Sequence, residues 1–329
     1  MNYKRFPNDP NKVVQKYWDR ATKAYQSENY SFAKKWFHKT LELQRKKERS
    51  SSWVFLADCN RELGNPSEAL RLLRLTERYY PNKAWLQIFI GRIHLDLAKL
   101  KLAEKAFRKA IKKHPSADAY IFLGSTLSRQ GRFREAKSCY QAALRLEPNN
   151  EEAHYNLGVR YREGKQYKKA ERHLRQAIEI DYKYALAYAE LGTVLLDKGL
   201  FPQARSTLMK SIKFAPKNYW ARLYLANANW HLRRLKEAEN QYRAAIKIAP
   251  SEALPNSCLG DFLSCEQKAN AEYYLKNAIA IDPGDEHALY NMGKHLYRNH
   301  CDKEALFYLK KAARKGHEKA KNLLINLSQ

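Results

Sequence analysis

A spacing of 33 or 34 residues runs through the chain and leaves few folds open to it. Prolines mark it first: Pro81, Pro115 and Pro148, then Pro216, Pro250 and Pro283, at steps of 34, 33, 68, 34 and 33 residues. The double step hides one period, in which Tyr182 stands in the proline's place. A second ladder keeps the same frame. Leu123-Gly124 recurs as Leu157-Gly158, Leu191-Gly192, Leu259-Gly260 and Met292-Gly293. A third is alanine, at Ala69, Ala103, Ala136, Ala170, Ala204, Ala238, Ala271 and Ala305. A large apolar residue follows four places on, such as Phe107, Tyr140, Leu174, Leu208, Tyr242, Leu275 or Leu309. Self-similarity at such a period marks stacked supersecondary units. Each unit is too small to bury its own apolar face, so the units must stack.

The residues within one period describe two helices. Ala136, Tyr140 and Ala143 lie at i, i+4 and i+7, one face of a second helix. The polar turn Arg129-Gln130-Gly131-Arg132 breaks the helix before it. The small residue of the Leu-Gly pair lets the two helices approach closely. The proline then ends the second helix and resets the chain.

The set Tyr120, Leu123, Gly124, Gly131, Ala136, Tyr140, Ala143 and Pro148 resembles the tetratricopeptide repeat. The resemblance implies an all-α, right-handed α-solenoid (a superhelix) of about nine helix-turn-helix units with a C-terminal capping helix. The expected units lie near 14–49, 50–83, 84–116, 117–150, 151–184, 185–218, 219–252, 253–285 and 286–319. Residues 1–13 form a polar tail, the array covers 14–319, and 318–329 is the cap. The end units differ from the middle, as capping units do. The first carries Ala21 where glycine is usual, and leaves through a basic, proline-free stretch from Gln44 to Arg49. In the cap, Ala320, Leu323, Leu324 and Leu327 share one helix face and read as a lid over the last pair. This tail also weakly resembles the Sel1-like repeat.

In this family the resemblance implies that first helices line a concave groove. Helical spacing from the packed Leu-Gly pair then assigns Trp18, Tyr25, Arg61, Trp85, Arg92, Tyr155, Arg162, Trp220, Asn227, Trp230, Tyr290, Lys294 and Tyr297 to it. Acids join them: Glu62, Asp96, Asp118, Glu152, Glu163, Asp197 and Asp261. A groove of mixed charge, rich in aromatics, suits an extended peptide or a helix of another protein. Trp85, Trp220 and Trp230 are the expected anchors. Packing between neighbouring first helices is an equally open use of these aromatics. Some members of the family hold a partner's terminal carboxylates with a fixed Lys/Asn set across three first helices. That set is missing here: Asn156, Asn227 and Asn291 stand alone, and Phe122, Glu190 and Cys258 fill sites equivalent to Asn156.

The formal charge is +27, and most of it falls on second helices. Lys105, Arg108, Lys109 and Lys112 share a face, as do Arg71, Arg74 and Arg78. Equivalent places hold Arg172 and Arg175, then Lys310, Lys311 and Arg314. Residues 1–116 carry +15, 117–218 carry +7, and the rest +5. Such a convex stripe is either a solvated face or an electrostatic footprint for an acidic partner or a nucleic acid. The sequence reads Glu77 and Glu104 as lying beside the stripe, not within it.

Other functional classes find no support. There is no P-loop, GxGxxG, GxSxG or HExxH string, and no catalytic set or cofactor is expected. Cys59, Cys139, Cys258, Cys265 and Cys301 are scattered without a CxxC pair, so no metal site is expected and a reducing, cytoplasmic-type compartment is. No apolar run reaches the ~18 residues of a membrane span. The N-terminus lacks the apolar core of a secretion signal. The expectation is a non-enzymatic interaction scaffold using the groove, with a nucleic-acid-associated or ribonucleoprotein subunit using the stripe as the alternative.

Overall fold

The computed structural model describes residues 12–44, 50–81 and 83–327, and the chain divides into two compact units, Met1–Leu157 and Gly158–Gln329. Most of the expected tail, and the basic exit after Gln44, lie outside the described residues. Within the first unit, α1 (Lys12–Gln26) pairs with α2 (Tyr30–Leu43), and α3 (Ser50–Glu62) with α4 (Pro66–Tyr79). Next, α5 (Ala84–Asp96) pairs with α6 (Leu100–Lys113), and α7 (Ala117–Arg129) with α8 (Phe133–Leu146). Helix α9 (Glu151–Glu163) contains the boundary, and α10 (Tyr167–Ile180) follows it. In the second unit, α11 (Ala185–Asp197) pairs with α12 (Phe201–Phe214), and α13 (Tyr219–His231) with α14 (Leu235–Ile248). Then α15 (Ala253–Cys265) pairs with α16 (Ala271–Ile281), and α17 (Glu286–Arg298) with α18 (Asp302–Arg314). Helix α19 (Glu318–Leu327) packs on α18. All regular structure among the described residues is helical, so the fold is an all-α solenoid.

The sequence ladders have a direct steric basis. A Cβ on Gly91 would sit 2.5 Å from the Phe107 ring, and one on Gly124 2.6 Å from that of Tyr140. In the second unit, Gly192 and Gly260 stand in the same relation to Leu208 and Leu275, at 2.5 and 2.6 Å. The large residue of each second helix therefore inserts where the first helix has no side chain. Ala21, Ala57 and Ala226 fill the corresponding positions elsewhere and are fully buried. The ladder alanines Ala136, Ala170 and Ala204 are fully buried too, which leaves no room for a larger residue at the crossing.

Each first helix ends on one residue in the left-handed region. Gly64, Gly131 and Gly199 take it at φ 74–77°, while Glu28, Ala98, Lys165, Arg233, Gln267 and His300 take it without being glycine. At the C-terminus, Leu323, Leu324 and Leu327 pack around buried Ala320, Leu309 and Leu289. Helix α19 starts with the Ala320 amide donating to His317 Nδ1 at 3.2 Å. No helix is long and apolar enough to cross a membrane, among the described residues.

Candidate partner-binding face

In the first unit, the first-helix face is largely satisfied from within. Trp18 lies edge-on to Phe37 and Phe55, at 5.4 and 5.3 Å between ring centroids, and packs half-buried against the core. The Tyr25 hydroxyl donates to Asp58, a carboxylate only 3% exposed. Arg61 Nε donates to the same carboxylate at 2.8 Å, and its other nitrogens reach Asp96 at 2.9 Å and Glu62. Burial works against the charge on Arg61, but its bonds to Asp58 and Asp96 and the charge of Glu62 outweigh it and hold the guanidinium above its ordinary pKa. Arg92 lies 3.8 Å from Asp58 and over the rings of Phe89 and Phe122. Trp18, Tyr25, Arg61 and Arg92, expected to face a partner, are thus built into the unit. The reason is a buried carboxylate that needs every donor within reach. Trp85 remains open at 36% exposure, touching Phe89 by its edge. Tyr155 is half-buried. On the same helices, burial pushes the Asp118 and Glu152 carboxyls up, with Glu147 adding to the first and Asp118 to the second.

The second unit sorts its residues differently. Some are structural. Arg162 pairs with Glu190 at 2.8 Å, and the Tyr242 hydroxyl donates to Asn227 Oδ1. Trp230 Nε1 donates to Glu266 at 2.6 Å while its ring meets Phe262 edge-on. Trp230 is therefore a wedge with a satisfied polar atom, which corrects the expectation of an anchor. Tyr290 stacks on His317 at 4.3 Å, and Lys294 is tied to Asp261 at 2.5 Å.

Others stay open. Trp220 is 46% exposed, stacked against Tyr219 and Tyr224 with centroids 5.2 and 6.4 Å away. Tyr297 is 40% exposed. Between α13, α15 and α17 lies an open cavity of about 760 Å³, lined among others by Trp220, Leu223, Tyr224 and Asn227 and by Asp282, Asp285 and His287. Two neighbouring cavities, of about 620 and 440 Å³, share Asp261, His287 and Asn291 with each other. Sequence reasoning missed Glu252, Asp282, Asp285 and His287. Glu252 and Asp285 are the N-caps of α15 and α17, Asp282 is the C-cap of α16 and His287 lies in the first turn of α17, places where the 3.6-residue period gives no signal. Tyr224 was legible, one turn after Trp220.

The basic stripe is interrupted. Arg71 meets Glu68 at 2.7 Å, and Arg108 meets Glu104 at 2.9 Å with Glu135 at 3.8 Å. Lys109 meets Glu77 at 3.5 Å, and Arg175 meets Glu171 at 2.8 Å. Glu104 and Glu77 thus lie within the stripe: Glu104 is one turn from Arg108 on the same helix, and Glu77 on α4 reaches Lys109 on α6. Arg74, Arg78, Lys105, Lys112, Arg172, Lys310, Lys311 and Arg314 make no ion pair among the described residues. Burial pushes the thiols of Cys59 and Cys258 up to about 12 and that of Cys139 to about 11, which keeps them protonated and poorly nucleophilic. Among the described residues no three His, Cys, Asp or Glu side chains gather as a metal site.

With this geometry in place, the chain can be compared with known proteins. Three sequence models of the tetratricopeptide repeat match it, over residues 86–112, 115–183 and 189–253. Human protein O-mannosyl-transferase TMTC3 is 30% identical over 52% of this chain and 19% of its own length. The rat mitochondrial import receptor subunit TOM70 is 31% identical over 36% of this chain and 20% of its own. The chain thus spans about a fifth of these curated relatives. Among solved structures, the APC/C hetero-tetramer Cut9-Hcn1 superposes with a TM-score of 0.68 at 17% identity, covering 81% of this chain and 52% of that one. At that identity the likeness is one of fold.

Proposed function

We propose that this chain, which belongs to the tetratricopeptide repeat family, is a non-enzymatic scaffold that holds an extended peptide or helix of another protein. The seat is the first-helix face of its second unit. One observation carries this reading: Trp220 stands 46% exposed at an open cavity of about 760 Å³, held in place by rings on both sides. A large aromatic that is rigid before binding loses little entropy on contact, which is why tryptophan dominates interface hot spots. Of the relatives, the import receptor subunit has a name that fits a scaffold, while TMTC3 is named a transferase, of which this chain spans 19%. The five cysteines without a CxxC pair suit a reducing, cytoplasmic-type compartment. The test is site-directed photo-crosslinking. A benzophenone amino acid at position 220 should trap a partner protein, whereas the same group at Tyr273, 60% exposed on a second helix, should not. Equal trapping at both places would remove the groove from the reading.

A second reading, nucleic-acid association, rests on Arg74, Arg78, Lys105 and Lys112, the cations of the N-terminal third that no carboxylate neutralises among the described residues. Their reversal to glutamate should abolish any low-salt binding of a labelled oligonucleotide, read by anisotropy. Binding that survives the reversal would move the contact elsewhere.

A further inference from the structure

The cavity beside Trp220 reverses the charge of the chain around it. Lysine and arginine outnumber acids 61 to 34 in the whole sequence. Yet the charged side chains that line this cavity are Glu252, Asp282 and Asp285, with His287 beside them and no lysine or arginine. Two of these acids are partly engaged. Asp282 Oδ1 accepts from the Gly284 amide at 2.8 Å, and Asp285 Oδ1 accepts from the Ala288 amide at 2.6 Å. Each contact occupies one oxygen and leaves the formal charge in place. Glu252 makes no ion pair among the described residues. Lysines enter only in the adjoining cavities, as Lys294, which is taken up by Asp261, and Lys319.

Resting on the groove reading above, we infer that the segment seated against Trp220 is cationic: an extended stretch of a partner protein that places an arginine or lysine between the Trp220 indole and the carboxylates of Glu252, Asp282 and Asp285. Three features agree on this occupant. Trp220 keeps 46% of its surface exposed within an aromatic cluster with Tyr219 and Tyr224, and a cation, arginine above all, is attracted to such electron-rich rings while its nitrogens stay free to bond elsewhere. The carboxylates of Glu252, Asp282 and Asp285 line the same cavity, where those nitrogens would form charge-assisted bonds. The apolar floor of Leu223 and Leu254 accepts the aliphatic stem of the same side chain. A phosphate or a terminal carboxylate would meet three like charges with no cation in the lining to offset them. The missing Lys/Asn set across the first helices thus has a counterpart in the structure. This groove selects against anionic ends and for basic ones.

The experiment is panning of a random dodecapeptide phage library on the full chain, with Trp220→Ala as the counter-selection. Trp220, Glu252 and Asp282 lie at the surface, and matching far-ultraviolet circular dichroism confirms that the variants fold. Clones that bind the native chain but not Trp220→Ala should be enriched in arginine and lysine. A synthetic peptide from them should bind at least tenfold more weakly to Glu252→Gln/Asp282→Asn, and more weakly at high salt. Asp285 is left intact because it caps α17. Trp220-dependent clones of neutral or acidic composition would overturn the cationic inference while leaving the groove standing. So would a peptide that binds the double variant equally well. A library that yields no Trp220-dependent clone would overturn the groove itself, and this inference with it.

Discussion

The two units use one repeat for opposite ends. In Met1–Leu157, most of the polar and aromatic residues named on the first-helix face are tied to each other: Tyr25, Arg61 and Arg92 converge on buried Asp58, Trp18 packs against the core, and Trp85 alone of these stays open. In Gly158–Gln329, the same face keeps Trp220 and Tyr297 exposed and leaves a cavity beside Trp220. The stacking rule is shared, since glycine faces a large residue in both units. The difference lies in whether a carboxylate is buried beneath the face. Asp58, 3% exposed, draws in its neighbours, whereas Asp197 in the second unit is exposed and only 3.9 Å from Arg162. A buried charge enforces a closed surface, and its absence leaves a face open for a partner.

The sharpest way to break this comparison is to remove each carboxylate. Asp58→Ala would leave Arg61 half-buried with its main counter-charge gone and strip the Tyr25 hydroxyl of its acceptor. Removing one member of a buried charged pair costs about 3–5 kcal/mol. Asp197→Ala should fall within about 0.5 kcal/mol of native, as exposed substitutions do. Urea unfolding of the two variants compares them, and a similar loss for both would deny the contrast.

Next in size is a test of what the units share. Gly124→Ala in the first unit and Gly192→Ala in the second should each cost about 1–3 kcal/mol, the usual penalty for overpacking. Their new methyls would lie 2.6 and 2.5 Å from the buried side chains of Tyr140 and Leu208. Loss in one unit alone would show that the stacking rule is not common to both.

A third, smaller effect belongs to the second unit. His317 is buried, which lowers its pKa below 6.5, and nearby His287 adds to the shift. Its Nδ1 must be unprotonated to accept the Ala320 amide that starts α19. The folded state therefore binds protons less readily than the unfolded chain. The stabilisation is complete above the unfolded pKa and is lost as pH falls through about 6.5 and below. Amide exchange in α19, corrected for its intrinsic pH dependence, should quicken at pH 5.5 relative to 7.5. His317→Asn supplies a cap acceptor that does not titrate and should flatten the response. A flat native profile would free the cap from His317.

Much of this was legible in residue order. The proline, glycine and alanine ladders carry the fold because each records one steric demand that recurs at every crossing. Trp220 was legible as a groove residue for the same periodic reason. Which aromatic is an anchor and which a wedge was not. Trp220 and Trp230 lie ten residues apart on one helix, and only the position of Glu266 on the next unit makes Trp230 structural. The stripe misled for a related reason. Charge counts do not show that Glu104 reaches Arg108 on its own helix and Arg132 beyond it. The acids of the cavity were illegible because Glu252, Asp282 and Asp285 sit outside the helical period altogether.

The smallest expected effect concerns backbone strain, and here too the units differ. The left-handed residue that ends each first helix is glycine at two places in the first unit, Gly64 and Gly131, and at one in the second, Gly199. Glu28 and Ala98 fill it in the first unit, and Lys165, Arg233, Gln267 and His300 in the second. A side chain there brings Cβ close to the following carbonyl, a strain glycine avoids. Glycine also widens the unfolded ensemble, which takes back part of the gain. Ala98→Gly and Lys165→Gly should therefore each stabilise by a net ~0.5–1 kcal/mol, since neither exposed side chain makes a hydrogen bond among the described residues. The reverse change, Gly131→Ala, meets nothing within 4 Å, so any loss it causes is conformational alone. Urea midpoints of the three variants give the answer. If Ala98→Gly and Lys165→Gly lower the midpoint while Gly131→Ala leaves it unmoved, the left-handed position carries no strain, and the second unit is no more strained at its turns than the first.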